Sequence, residues 1–310
     1  MAQMIRAISN MGGAVITVID STDIVRRMEQ IHQTSAVVSA ALGRLLTASE
    51  LMAATLKSPK DTVTLRIKAD GPAGLLTAAC TGEGYCKGYV ENSVVEIPLR
   101  SDGKLDVGGA VGSSGQLYVV KDIGLKEPYV GSIPLASGEI AEDITAYYAY
   151  SEQIPTVCAL GVRVNPDLSV RRAGGSLLQL LPGATDEEIS FIENNIKNIR
   201  SITAFFEADN DIYAVVDTIL DGFEPEIIDE YDVSYRCDCT RERVEKALIS
   251  IGIEELEKLR DEEDEIELTC QYCDRKYYFN KRDLSDMIGR LKKTRAERAR
   301  KRDRYSSSDM

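Results

Sequence analysis

The chain has 310 residues, of which 44% are hydrophobic and 28% charged, as in globular proteins large enough for more than one domain. Its formal net charge of −13 argues against nucleic acid as a general partner, because a phosphate backbone requires a basic binding face. The sequence shows neither an apolar run of roughly 18 residues nor a secretory signal pattern, so we expect a cytoplasmic protein with no membrane partner.

Residues 1–182 are expected to form an N-terminal core domain of mixed strands and helices. An apolar stretch at residues 36–57 has the spacing of one long buried helix, which Ser35 or Thr34 could cap. Residues 62–68 alternate apolar and polar side chains, as a half-buried strand does.

A tight turn at residues 70–74 predicts that the first of these strands pairs antiparallel with a second strand, residues 75–80. Further strands are predicted at residues 94–97, 117–121 and 157–164. Because strands and helices do not alternate regularly, we predict an α+β fold, with a mixed sheet-and-helix core, rather than a doubly wound α/β sheet.

The segment 183–232 combines apolar side chains with an unusual concentration of acidic ones. Residues 186–200 predict a helix, and residues 201–232 then contain ten acidic side chains and neither Lys nor Arg. Apolar groups require burial, whereas like charges repel one another and favour water. We therefore predict a helical, metastable linker that depends on its neighbours for order. A plain acidic surface on an ordinary packed segment is the alternative.

Four cysteines in the region 233–290 form two close pairs, C-x-C at Cys237 and Cys239 and C-x-x-C at Cys270 and Cys273, separated by 30 residues. Four soft thiolates suit tetrahedral zinc. An iron–sulfur cluster also takes four thiolates, but C-x-C is not a usual cluster spacing, so we predict zinc. Each pair is also close enough to form a disulfide, so this site could hold a metal when reduced and lose it when oxidised.

Helices and short strands are predicted before, between and after the two cysteine pairs. Thr240 predicts the start of a helix that Gly252 ends, and Asn280 with Asp283 predicts the cap of a last helix, residues 284–291. Short strands are predicted at residues 266–270 and 276–279. Basic side chains that could offset the excess thiolate charge are Arg236, Arg241, Arg275 and Lys276.

No catalytic site is predicted, and we do not expect an enzyme. His32 is the single histidine, and no hydrolase nucleophile motif accompanies it. Cys80 and Cys158 lie in apolar strands and are expected to be small core residues, whereas Cys86 is expected to be more exposed and has no evident thiol partner. We assign these three cysteines no role.

The cysteine spacing, at the C-terminal end of a chain of this length, resembles that of the 33 kDa chaperonin (heat-shock protein 33) family of redox-regulated holdase chaperones. The N-terminal part contains stretches similar to this family, the clearest being KEPYVG at residues 126–131 and SGEIAEDI at residues 137–144. The others are residues 41–46, 70–72, 88–90, 151–155, 173–175 and 179–183. The resemblance covers about residues 2–290. It does not extend to the basic tail, 291–310, which we expect to be disordered.

The resemblance implies that the reduced protein holds zinc through Cys237, Cys239, Cys270 and Cys273 and is inactive. Oxidation would form the Cys270–Cys273 and then the Cys237–Cys239 disulfide, release zinc and unfold the linker. The active form would dimerise, bind unfolding client proteins through the N-terminal domain without ATP, and hand them to ATP-dependent foldase chaperones.

Two other functions remain open at this point. A constitutive zinc ribbon could bind nucleic acid through the tail, but residues 232–290 contain 11 Lys and Arg against 16 Asp and Glu, which disfavours a phosphate-binding face. A thiol oxidoreductase could use Cys270 and Cys273, but no thioredoxin-like context surrounds them.

Overall fold

The computed structural model describes the backbone of residues 2–306 and the side chains of residues 2–293, 295 and 297. Internal contacts divide the chain into two units, Met1–Cys237 and Asp238–Met310. The strands of the first unit are β1 (Ala2–Ile8), β2 (Ala14–Asp20), β3 (Thr62–Ala69), β4 (Leu76–Thr81), β5 (Tyr85–Val90), β6 (Gly115–Asp122), β7 (Tyr129–Pro134), β8 (Thr156–Val164), β9 (Val170–Leu180) and β10 (Glu226–Tyr235). Its helices are α1 (Thr22–His32), α2 (Ala36–Ala53), α3 (Val107–Val111), α4 (Ala141–Tyr147), which continues into a π-helical turn (Tyr148–Glu152), α5 (Asp186–Ile196), α6 (Ile202–Glu207) and α7 (Ile212–Ile219).

A single sheet organises the described part of the first unit. Its ten strands follow the order β7-β6-β3-β4-β5-β10-β1-β2-β9-β8. Neighbouring strands are antiparallel except at β5–β10, where a short parallel pairing joins Ser234 to Tyr85 and Tyr235 to Cys86. The predicted α+β class is therefore confirmed, and so is the antiparallel pairing of β3 with β4.

The central helix, α2, is buried on almost every side. By length and composition it could cross a membrane, but 89% of it is enclosed by the protein, which is the position of a core helix. Ser35 stands at its N-terminus as predicted, yet the serine hydroxyl does not cap the helix. Instead the Ser35 hydroxyl donates a hydrogen bond to the carbonyl of Val95 (2.9 Å) and accepts one from the N–H of Val95 (3.1 Å). The strand predicted at residues 94–97 is therefore wrong, because this loop is held by a side chain rather than by another strand.

Helices α5, α6 and α7 cover the opposite face of the sheet from α2. The predicted helical linker, 183–232, is wrong at its C-terminal end, because residues 226–232 form β10 and pair with β1 inside the sheet. Alternate side chains of β1 point to the two faces: Met4 joins the core around α2, whereas Ile5 joins a second core beneath α5, α6 and α7. This second core consists of Ile5, Ala7, Ala14, Ile16, Val18, Leu178, Ile192, Ile202, Phe206, Ile212, Val215, Val216, Ile219 and Leu220. The ten acidic side chains of residues 201–232 are exposed or half-buried. One segment thus satisfies both tendencies by separating them onto two faces.

Glycine at position 174 allows α6 to lie close to the sheet. A Cβ atom there would stand 2.4 Å from a ring carbon of Phe206 and 2.6 Å from the carbonyl oxygen of Ile19. The Phe206 ring therefore packs directly on the backbone of β9. Glu207, the last residue of α6, forms ion pairs with Arg163 (2.7 Å) and Arg171 (2.8 Å) at the partly exposed rim of this contact.

The second unit is built around a two-stranded hairpin and three helices. Its elements are α8 (Arg241–Ile249), α9 (Ile253–Glu262), β11 (Glu265–Thr269), β12 (Lys276–Asn280) and α10 (Lys281–Ser306). Its buried apolar side chains are Leu248, Ile253, Leu256, Ile266, Tyr277, Phe279, Leu284, Met287 and Ile288. Thr240 caps α8 through the N–H of Arg243, and Asn280 and Asp283 cap each other reciprocally, both as predicted.

The helical backbone of α10 continues through Ser306, further than the helix predicted at residues 284–291, whereas disorder of the tail stays a prediction. The run of Lys, Arg, Glu and Ala in this stretch consists of strong helix formers, which accounts for the difference. Residues 307–310 lie outside the described part of the chain.

We predict that Phe206→Ala lowers the free energy of unfolding of the first unit by about 3–5 kcal/mol, because it leaves a cavity between α6 and β9. Phe205→Ala, at a neighbouring ring that is only partly buried, is the matched control and should cost clearly less. Denaturant titration measures both values. Equal losses in the two variants would contradict the packing described here.

Candidate metal centre

The four sulfur atoms of Cys237, Cys239, Cys270 and Cys273 lie within 4.8 Å of one another, and all four residues are partly buried. The Sγ atoms of Cys239 and Cys273 are 3.4 Å apart. Thiolates around tetrahedral zinc at about 2.3 Å stand roughly 3.8 Å from one another, so the donor set and its spacing fit a zinc ion. The metal-ligand set predicted from the sequence is thus brought together in space.

The first pair follows directly on the central sheet. The N–H of Arg236 donates to the carbonyl of Cys86 (2.8 Å), which extends the pairing of β10 with β5 up to the residue before Cys237. The hydroxyl of Tyr235 donates to the carbonyl of Gly88 (3.1 Å), and His32 places Nε2 3.0 Å from the same oxygen. The single histidine is therefore a satisfied structural residue, as expected.

The second pair sits in the turn between β11 and β12. The N–H groups of Cys273 (3.3 Å) and Asp274 (2.9 Å) both donate to the carbonyl of Cys270. The N–H of Cys270 in turn donates to the backbone carbonyl of Arg275 (2.9 Å). Asp274 adopts a left-handed backbone conformation with φ of 55°, which Asp tolerates better than most residues. This knuckle turns both sulfurs to the same side of the hairpin.

Tyr277 supports the site from the core of the second unit, and the sequence did not reveal this role. Its hydroxyl lies 3.1 Å from both Sγ and the carbonyl oxygen of Cys239. The hydrogen bond to the Cys239 sulfur is the main reason why the pKa of Tyr277 is raised. The signal was present in β12, where Tyr277 and Phe279 alternate with exposed residues and so had to face inward.

Arg275 is one of the four expected basic neighbours, and it interacts with the sulfurs directly. The pKa of Arg275 is raised by its hydrogen bond to Tyr277 and by the thiolates of Cys239 and Cys273. The other three have different partners: Arg236 stacks on the ring of Tyr85, Arg241 pairs with Asp283 and stacks on Phe279, and Lys276 pairs with Glu267. That these three also offset the thiolate charge stays a prediction.

The burial of the other three cysteines agrees with the sequence prediction at two positions and differs at one. Cys80 is buried and Cys158 partly buried against the core, as expected. Cys86 is fully buried rather than exposed, and it stands directly opposite Cys80 across the β4–β5 pair. The sequence signal for this pairing was the glycine-containing turn between the two cysteines, at residues 82–84.

Comparison with known proteins gives a consistent result. The family described as "Hsp33 protein" matches residues 2–280. The chain belongs to the Hsp33 family. It is 42% identical over 296 residues to a 33 kDa chaperonin of Clostridium perfringens, covering 95% of this chain and 94% of that protein. It is 40% identical to a 33 kDa chaperonin of Alkaliphilus metalliredigens, covering 94% and 99%.

A solved structure agrees with the sequence comparison. The crystal structure of the 33 kDa chaperonin from Thermotoga maritima matches this Hsp33 chain with a TM-score of 0.85 and 34% identity. The match covers 93% of this chain and 97% of the other. The family and fold suggested by the sequence resemblance are therefore confirmed over most of the chain.

We predict that Tyr277→Phe weakens zinc binding by about tenfold while leaving the core packing in place, because the ring remains and only the hydroxyl beside Cys239 is lost. Tyr278→Phe, at the adjacent and exposed tyrosine, is the matched control. Competition with a chromogenic zinc chelator measures the affinity. Unchanged affinity in Tyr277→Phe would show that the hydroxyl does not support the site.

Proposed function

We propose that this protein is a redox-regulated holdase chaperone of the cytoplasm, active under oxidative stress and not an enzyme. Reduced protein holds zinc through Cys237, Cys239, Cys270 and Cys273 and is inactive. Oxidised protein binds unfolding client proteins and prevents their aggregation. The convergence of four sulfurs, with no other ligand type, carries this proposal, together with membership in a family whose relatives are named 33 kDa chaperonin.

The chemistry of the switch belongs to the cysteines. Cys270 and Cys273 are oxidised to one disulfide, giving two electrons to an oxidant such as hydrogen peroxide, which is reduced to two waters after proton uptake. Cys237 and Cys239 form the second disulfide in the same way. Bound zinc would supply a structural cross-link between the hairpin and the first pair, and each disulfide removes two of its ligands.

Loss of the metal has a large effect because the second unit has few other interactions that stabilise its fold. Its core is small, and Cys239 and Cys270 pack against that core themselves. Domains of this size often need a metal to fold, and structural zinc contributes on the order of 10–16 kcal/mol of apparent folding free energy in small modules. Oxidation therefore melts the redox-switch domain, residues 233–290.

The linker, residues 183–232, is proposed to respond next. Its acidic side chains repel one another, and its order depends on the apolar face beneath α5, α6 and α7. Once released, this segment uncovers the second core of the first unit, and residues 1–182 then present apolar surface to clients. The active form dimerises and later transfers its clients to ATP-dependent foldases.

The proposal is tested by treating purified protein with peroxide at mild heat-shock temperature. Free thiols, released zinc and suppression of client aggregation are followed on the same samples. We expect loss of the four thiols, release of the zinc that they hold, and anti-aggregation activity to rise together and to reverse on reduction. Release of this zinc without any gain in activity would refute the proposal.

We predict that Val215→Asp makes the reduced, zinc-bound protein active without oxidant. Val215 lies on the buried face of α7. An unpaired charge there costs several kcal/mol, which favours release of the linker. Tyr213→Asp, on the exposed side of the same helix, is the matched control and should stay inactive when reduced. Limited proteolysis reports linker release. Release without activity would mean that the linker does not control client binding.

A further inference from the structure

A second cluster of metal-ligand groups lies inside the first unit, far in sequence from the four cysteines discussed above. Glu50 comes from α2, Cys80 from β4 and Cys86 from β5. A carboxylate oxygen and the two sulfurs lie within 4.8 Å of one another. The relative exposures of the three residues are 0%, 1% and 0%.

The backbone fixes the geometry of this cluster. Cys80 and Cys86 are direct partners in the antiparallel pairing of β4 with β5, so both side chains leave the sheet on the same face. That face packs against α2, where the next inward position of β5, Gly88, has Leu42 and Leu46 as its nearest neighbours. Glu50 follows Leu46 by one helical turn and Leu42 by two turns on the same side of α2, which brings its carboxyl group next to the two thiols.

Glu50 is an unusual residue for such a place. Neither of its carboxyl oxygens has a hydrogen-bond partner of ordinary geometry in the described residues. A buried carboxylate without a partner costs several kcal/mol, and burial accordingly raises the pKa of Glu50 to about 8. Burial also raises the pKa of Cys80 to about 11 and that of Cys86 well above its usual value. Without a ligand, the cluster is a neutral group of three acids at pH 7.

A fourth polar atom completes the surroundings. Oγ of Ser49 lies 2.7 Å from Sγ of Cys80 and donates to the carbonyl of Leu46 (3.0 Å). The Ser49 hydroxyl therefore lies beside Cys80, next to the group formed by two sulfurs and one carboxylate oxygen. Sulfur and carboxylate oxygen are both zinc ligands, and the sulfurs select for thiophilic ions over magnesium or calcium.

We propose that Glu50, Cys80 and Cys86 form a second metal site, which takes a thiophilic divalent ion of the zinc class. Binding releases the three acidic protons to solvent and takes up one divalent ion, which leaves one net negative charge on the site. The ion replaces the contacts of the two thiols with Glu50, which otherwise oppose the effect of burial on its pKa. The ion ties α2 to the β4–β5 pair and thereby stabilises the core of the first unit. This site uses none of the four switch cysteines.

Complete burial determines how the site is loaded. An ion can enter only while the chain folds or when the core opens, so exchange with solvent is slow. A chelator should therefore remove zinc from the partly exposed four-cysteine centre well before it reaches this site. The reduced full-length protein should consequently contain two equivalents of zinc, of which one is removed rapidly.

The test uses the full chain with Cys237, Cys239, Cys270 and Cys273 all replaced by Ser, which eliminates the first centre. This protein is refolded under a phosphine reductant with Zn²⁺ or Cd²⁺, desalted, and analysed by plasma mass spectrometry. We expect one retained equivalent of metal, a thiolate-to-cadmium absorption band, and a higher melting temperature than in the metal-free protein. A folded four-serine protein that retains no ion would overturn the proposal and show that the cluster is only a hydrogen-bonded group of acids.

Further substitutions in the four-serine background assign the ligands. Cys86→Ser and Glu50→Gln should each lower the retained metal at least tenfold and abolish the rise in melting temperature. Cys158→Ser removes the first unit's other thiol, which lies outside the cluster, and should change neither. Circular dichroism establishes that each variant is folded. Metal retention equal to that of Cys158→Ser in either ligand variant would place the ion elsewhere and refute this site.

Discussion

The proposed function depends on the approach of four sulfur atoms, three of them from the second unit, to within 4.8 Å of one another. Thiolates at that distance repel, so the arrangement is stable only while a cation or covalent bonds between the sulfurs compensate the charge. The hairpin core around Phe279 and Leu284 is small, and we expect that it does not hold the turn at Cys270 by itself. In the proposed mechanism this dependence makes the thiols a switch, because the same atoms that fold the unit are those that oxidants attack.

The acidic segment 183–232 shows how a sequence with opposed tendencies can still order. Most of its apolar side chains lie in the second core, and the ten acids of residues 201–232 are exposed or half-buried, so burial of the apolar face is opposed by charge repulsion on the outer face. Ion pairs from Glu207 to Arg163 and Arg171 neutralise only one of the ten acids, and both arginines are more than half exposed. Because burial and repulsion oppose each other, we expect a small loss of stabilising contacts to shift this segment from ordered to unfolded.

Local patterns predicted the helix α2, the strands β3, β4, β6 and β8, the caps at Thr240 and Asn280, and the metal-ligand set, because each is encoded within a few neighbouring residues. The sequence could not reveal contacts made over long separations. The loop at Val95 was mistaken for a strand because its partner is the Ser35 side chain. Cys86 was expected to be exposed, although the β4–β5 pairing buries it beside Cys80 and Glu50.

The pairing of β1 with β10 has a consequence for biosynthesis. Ala2 lies opposite Val233, so the central sheet closes only when residues separated by most of the first unit meet. At about 5–20 residues per second, a ribosome needs roughly 10–50 s to make the intervening chain. Throughout that interval β1 has one open edge while the nascent polypeptide grows. A protein proposed to shield others from aggregation therefore passes through its own vulnerable period during translation, and ends it only with the strand that leads into Cys237.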